Sequence, residues 1–167
     1  MSKSENLIFD EKKIWYCTKR IAYQIFESNI DNKEIFLVGI SDNGTFFAKE
    51  IEKVLLNIAP LEIKTLKLKM DKKKPGNEIS LDFKIKDLEN KSIVIVDDVL
   101  NTGLVLAHAL KFLLNVHFKQ IKIAVLVNRE HNKFPIKADF KGISLSTSVN
   151  ETVEVNLRGK QKGIFLI

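Results

Sequence analysis

Apolar residues return along the chain with two different periods, and the switching between those periods lays out the elements. Ile14, Cys17, Ile21 and Ile25 recur at helical spacing, which puts them on one face of a helix. Asp10 stands where an N-cap belongs, with Phe9 just outside it and Ile14 four positions in, the arrangement of a hydrophobic staple. Asn29 to Lys33 is a polar turn, and Glu34 to Ile40 (E-I-F-L-V-G-I) predicts a short strand. Ser41-Asp42-Asn43-Gly44 predicts a tight loop, and Thr45 to Asn57 a second helix through Phe46, Phe47, Ile51, Val54 and Leu55. From Leu61 to Met70, apolar residues alternate with lysines, the mark of a strand with one wet face. Asp71 to Gly76 then reads as a turn and Ile79 to Ile85 as a second short strand, which together make a hairpin. A strand at Ser92 to Val96, a helix at Leu104 to Leu114 and a strand at Ile121 to Val127 follow. Short strand-like pieces around Gly142 to Leu145, Val153 to Val155 and Ile164 to Ile167 close the chain.

Strands that alternate with helices predict an α/β fold, a parallel sheet with helices on both faces. The I-V-I-V and I-A-V-L-V runs agree, because a parallel strand covered on both sides is apolar throughout. The length fits one domain over residues 1–167.

Composition narrows the class. No apolar run reaches the roughly 18 residues that cross a bilayer, and M-S-K-S-E-N at the start lacks the apolar region of a secretion signal. Cys17 is the single cysteine, which excludes an internal disulfide and a cysteine-rich zinc site. A cytoplasmic location without membrane association is the expectation. The net charge of +6 is compatible with a polyanionic ligand and equally with a lysine-rich solvated surface.

One segment carries chemistry. Ile93-Val94-Ile95-Val96 leads into Asp97-Asp98, and Thr102-Gly103 follows just before a helix. Open α/β sheets bind ligands beyond the carboxyl ends of their strands. Two carboxylates there can accept hydrogen bonds from vicinal hydroxyls or hold Mg²⁺, directly or through water. The glycine turn at a helix start aims backbone N–H groups at one spot, a cradle for an anion. A solvated strand end with a threonine cap is the plainer alternative, and the cost of carboxylates beside a buried strand argues against it.

The segment D-D-V-L-N-T-G resembles the signature of the type I phosphoribosyltransferases. R-I-A-Y-Q-I-F-E-S-N (Arg20 to Asn29), F-L-V-G-I (Phe36 to Ile40) and V-L-V-N-R-E-H-N-K-F-P-I-K-A-D-F (Val125 to Phe140) extend the resemblance to the bifunctional pyrimidine operon attenuator and uracil phosphoribosyltransferase family. The resemblance implies a Rossmann-like central parallel sheet with flanking helices and a small hood. It also implies an Mg²⁺-dependent reaction in which a nucleobase, a pyrimidine such as uracil, displaces pyrophosphate from phosphoribosyl pyrophosphate. Carried over by position, Asp97 and Asp98 are the expected catalytic pair, holding the ribose hydroxyls and Mg²⁺. Asn101, Thr102, Gly103, Leu104 and Val105 form the 5-phosphate loop. Ser41, Asp42, Asn43 and Gly44 form the pyrophosphate loop, and Arg129 lies on the base side. A homodimer is expected, with Trp15, Tyr16 and Phe26 of the first helix as core or dimer contacts.

The chain departs from that pattern at three places. Asp42-Asn43-Gly44 stands where the family carries Thr-Arg-Gly, and Leu104-Val105 where its phosphate loop carries a basic residue and threonine. The family's hood segment corresponds to a shortened K-L-K-M-D-K-K-K-P-G. The first two changes remove charge-assisted contacts to phosphate, which are the strong ones. Lysines between Lys67 and Lys74 either compensate as point charges or only protect an exposed hairpin from edge pairing. Arg129, His131, Lys133 and Lys137 keep some of the positive charge that resembles an RNA-binding face, while Asn132 replaces an arginine there. A non-catalytic regulator binding a nucleotide or RNA on the same scaffold is therefore the alternative. His108, His117 and His131 share no metal-ligand spacing.

Overall fold

A computed structural model describes residues 6–167. The first strand, β1 (Asn6–Asp10), runs directly into α1 (Glu11–Glu27). Asp10 caps that helix as expected, its carboxylate accepting a hydrogen bond from the Lys13 N–H at 2.9 Å. The alternation then continues through β2 (Glu34–Ile40), α2 (Ser41–Ile58) and β3 (Glu62–Lys69). A two-residue β4 (Ser80–Leu81) and a single 3-10 turn (Ile85–Leu88) precede β5 (Ser92–Leu100), α3 (Leu104–Leu113) and β6 (Gln120–Asn128). The chain finishes with β7 (Phe140–Ser144), β8 (Val153–Asn156) and β9 (Gly163–Leu166).

Six strands form the central sheet in the order β4-β3-β2-β5-β6-β7. All neighbours are parallel except the antiparallel β3–β4 pair at one edge. Strand β5 is central, and seven of its nine residues in an unbroken run are buried, as continuous covering on both faces requires. One face packs on α1 and α2 through Ile21, Ile25, Phe47, Ile51 and Leu55. The other packs on α3 and the 3-10 turn through Leu88, Leu106, Ala109 and Leu113. The order reverses between β2 and β5, so loops leaving β2 and β5 diverge and open the crevice where such sheets bind ligands.

A second sheet, β1-β9-β8, is antiparallel and joins both ends of the described chain. This is the small hood, and its make-up corrects the sequence expectation, which assigned the hood to the lysine-rich stretch. That stretch instead forms the β3–β4 connection. Only Ser80–Leu81 pairs there, not the whole of Ile79 to Ile85, because the segment turns away after two residues and enters the 3-10 turn. The described residues contain no helix long and apolar enough to cross a membrane.

Candidate functional site

The site is built where β2 and β5 end. Strand β5 does not stop at Val96; it continues to Leu100, so Asp97 and Asp98 lie within the strand and not beyond it. Asp97 still pairs with Val125 of β6, and this ladder holds the acids in place. Both are buried, at 2% and 8% exposure.

Ser41-Asp42-Asn43-Gly44 is not a loop but the first turn of α2. The strand-to-helix change occurs at a single residue, Ser41, which takes a left-handed φ of 52°. Such a conformation costs a non-glycine residue about 1–3 kcal/mol. Two anchors hold it: the Ser41 hydroxyl donates to the Met70 carbonyl at 2.9 Å, and the Thr45 hydroxyl donates back to the Ser41 carbonyl at 2.5 Å. Gly44 lets the turn touch β5. A Cβ there would lie 2.6 Å from the Val96 carbonyl oxygen and 3.3 Å from Asp97 Oδ1. The first turn of α2 thus rests against the acid pair, and Asn43 Nδ2 donates to Asp98 Oδ2 at 3.0 Å.

Two cations that the sequence did not assign complete this cluster. Lys72, from the β3–β4 connection, donates to Asp97 Oδ1 at 2.6 Å and to Asp98 Oδ1 at 3.0 Å. Arg158, just after β8, donates to Asn43 Oδ1 at 3.0 Å and stacks over the Phe46 ring. Of the three arginines, Arg20 is tied to the carbonyls of Lys141 and Gly142. Arg129 bonds Thr147, Asn101, Ser148 and Glu151. Arg158 alone is exposed at the site. The signal for Lys72 was present as a lysine-rich turn, but nothing in a run of three lysines says which one folds inward. Lys67 is occupied otherwise: it pairs with the exposed Asp42 and holds that carboxyl below the usual range.

Burial pushes the Asp97 carboxyl up to about 8, against the pull of Lys72 and reinforced by the neighbouring Asp98. Burial also raises Asp98, but Lys72 and the hydrogen bonds from Asp97 and Asn43 outweigh it and hold Asp98 below the usual carboxylate range. Burial lowers Lys72, and the two carboxylates more than reverse that. The fold therefore drives the two neighbouring carboxyls in opposite directions, Asp97 up and Asp98 down.

The turn after β5 is braced from behind. Gly103 has a φ of 89°, and a Cβ there would approach Ile136 at 3.1 Å. The Thr102 carbonyl accepts from the N–H groups of Lys133 and Phe134 at 2.9 and 3.1 Å. Arg129 donates to Asn101 Oδ1 at 3.2 Å, so it supports this loop from a buried position and does not project a free guanidinium toward a base. Leu104 N–H reaches the Thr102 hydroxyl at a long 3.3 Å. Among the described residues nothing in the protein accepts from the N–H groups of Thr102, Gly103 or Val105, as a helix start leaves its first donors unspent. The side chains of Leu104 and Val105 are half-buried and bring no charge.

Two adjacent carboxylates suit Mg²⁺, which binds through one or two carboxylates and completes its shell with water and substrate phosphates. No group of three or more metal-ligating side chains converges among the described residues. Trp15 and Tyr16 are half-exposed on α1, which excludes the core reading for them. Cys17 is buried on the apolar face as expected.

Comparison with known proteins identifies the family. The phosphoribosyl transferase domain matches residues 7–157. The chain is 36% identical over 164 residues to the bifunctional protein PyrR of Staphylococcus epidermidis, covering 92% of this chain and 93% of that protein. It is 34% identical over 165 residues to the bifunctional protein PyrR of Listeria monocytogenes serotype 4a, covering 90% and 88%. The hypoxanthine phosphoribosyltransferase of Trypanosoma cruzi superposes with a TM-score of 0.81 at 16% identity, covering 96% of this chain and 95% of that one; this likeness shows the shared fold. The chain belongs to the phosphoribosyl transferase domain family, with the type I fold. Membership makes it a transferase of the glycosyltransferase type.

Proposed function

We propose that the chain binds phosphoribosyl pyrophosphate with Mg²⁺ at the β2–β5 crevice and transfers the ribose phosphate to a nucleobase, a pyrimidine such as uracil. The observation that carries this is the buried Asp97–Asp98 pair on β5, set between the first turn of α2 and the unspent N–H groups of the turn into α3. Asp97 and Asp98 accept the ribose 2- and 3-hydroxyls and orient the sugar; Mg²⁺ would supply charge neutralisation on the departing pyrophosphate. The backbone of Asn101 to Val105 takes the 5-phosphate. Arg158 faces the first turn of α2 with donors to spare and supplies, from another element, a guanidinium beside the pyrophosphate. Catalysis of this kind is positioning and electrostatics. The reading places the protein in the cytoplasm as a homodimer.

The test is pyrophosphate release from phosphoribosyl pyrophosphate and Mg²⁺, screened across nucleobases. Release with one base supports the reading. Apolar Leu104 and Val105 at the phosphate loop favour a second reading, a regulator that binds a nucleotide or RNA without turnover. Tight binding of phosphoribosyl pyrophosphate with no release for any base would select it.

A further inference from the structure

The β3–β4 connection closes over the acid pair, and it does so with a built structure. Lys74 N–H bonds the Asp71 carbonyl at 3.2 Å, Lys73 N–H bonds Asp71 Oδ1 at 2.8 Å, and Asn77 N–H bonds the Lys74 carbonyl at 3.0 Å. Pro75 is buried although its neighbours Lys74 and Gly76 are exposed. Gly76 sits against α3, where a Cβ would meet His108 Cε1 at 3.3 Å. At its other end the connection is tied to α2 by the bond from the Ser41 hydroxyl to the Met70 carbonyl. It therefore spans the crevice from α2 to α3. Between these two attachments Lys72 turns inward and bonds both carboxylates, with its side chain only 34% exposed.

That ammonium stands at 2.6 and 3.0 Å from one oxygen of each aspartate, between the two oxygens that a divalent cation shared by both acids would have to reach. Two cations cannot occupy that space together. We propose that Lys72 is an intramolecular competitor for the divalent-cation position, so that Asp97 and Asp98 take up the metal only when Lys72 leaves and the β3–β4 connection lifts. This rests on the reading of the pair as the cation- and ribose-binding site and adds its regulation. The lysine keeps the buried acids compensated while no ligand is present, since a carboxylate pair left buried without a counter-charge is costly. It also couples metal entry to opening of the segment that covers the crevice. Lys73 and Lys74 are exposed, and among the described residues neither side chain pairs with a carboxylate.

Mn²⁺ binding measured by electron paramagnetic resonance, with no substrate present, tests this. Lys72→Gln removes the competing charge and is expected to bind Mn²⁺ roughly tenfold or more tightly than the wild-type chain, the scale of one buried charge-assisted bond. Lys72→Arg keeps the charge and is expected to stay near the wild-type affinity. In the Lys72→Gln background, adding Asp97→Asn and Asp98→Asn should abolish the gain. Equal Mn²⁺ affinity of wild type and Lys72→Gln overturns the proposal. Hydrogen exchange on the wild-type chain provides an independent measurement should the glutamine variant fold poorly: saturating Mn²⁺ should accelerate exchange of the amides of Lys74 and Asn77, and unchanged exchange would contradict the latch. If the Mn²⁺ effect holds while the wild-type chain binds no phosphoribosyl pyrophosphate, the ligand assignment fails and the latch stands.

Discussion

Asp97 and Asp98 are chemically identical neighbours, and the fold makes them different. Burial pushes the Asp97 carboxyl up to about 8 in the folded chain, against 3.8 for the same group free in water. Between these values the folded state binds more protons than the unfolded one, so stability falls as pH rises. The contribution is full below the unfolded value and gone above about 8. Asp98 runs the other way and loses its contribution only in acid. The melting temperature of the wild-type chain is therefore expected to drop between about pH 4 and pH 8. In Asp97→Asn that drop should be shallower by roughly 2–5 °C, the shift produced by about 1 kcal/mol; parallel curves for the two chains would show that Asp97 is not held protonated. Arg158 gives a second residue-level expectation. Arg158→Gln should weaken binding of phosphoribosyl pyrophosphate about tenfold by removing one charge-assisted donor, with the melting temperature unchanged because the side chain is exposed. Calorimetry showing equal affinity would take Arg158 out of the site.

At the scale of elements, the contact that makes the site is α2 lying against β5, and Gly44 permits it. Gly44→Ala would force a Cβ to within 2.6 Å of the Val96 carbonyl. It should cost about 1–3 kcal/mol, the usual price of overpacking, and break the Asn43–Asp98 bond along with ligand binding. Denaturant melts and a titration with phosphoribosyl pyrophosphate check both; an unperturbed variant would mean the turn is free to move off the strand. Much of this layout was legible from periodicity. The apolar runs Ile93 to Val96 and Ile121 to Val127 placed the central strands, and Asp10 placed the start of α1, because burial and capping leave local marks. The junctions were less legible. Ser-Asp-Asn-Gly has the composition of a turn, yet Ser41 absorbs the whole change of direction in one left-handed residue and the other three are helical. The acids Asp97 and Asp98 looked like the end of a strand, but pairing with β6 carries the ladder through them to Leu100. β1 and its pairing with β9 depend on contacts across the whole chain, which no local pattern encodes. The inward turn of Lys72 was hidden for the same reason, since its partners lie 25 and 26 residues away.

For the molecule as a whole, α1 and α2 leave apolar surface uncovered. Trp15, Tyr16 and Tyr23 are 50%, 55% and 42% exposed. Trp15 and Tyr23 line a groove of about 630 Å³ between the two helices, with Phe46, Val54 and Leu157. This groove does not include the acid pair. Aromatic surface of this kind suits a contact between two copies of the chain. Light scattering is expected to give twice the 19.1 kDa chain mass at micromolar concentration, and Trp15→Glu should shift it to one; a monomer mass for the wild-type chain would remove the dimer.

The central claim is that Asp97 and Asp98 form the ribose- and metal-binding site of a phosphoribosyltransferase. Calorimetric titration of phosphoribosyl pyrophosphate with Mg²⁺ into the wild-type chain and into Asp97→Asn/Asp98→Asn tests it most directly. Neutralising both acids removes the charged acceptors for the vicinal hydroxyls and the metal ligands, while the asparagine amide oxygens keep the size of the carboxylates and can still accept from Lys72. The wild-type chain is expected to bind in an Mg²⁺-dependent manner, and the double variant to lose that binding while its melting temperature holds or rises. A double variant that binds as tightly as the wild type, or that does not fold, would contradict the account.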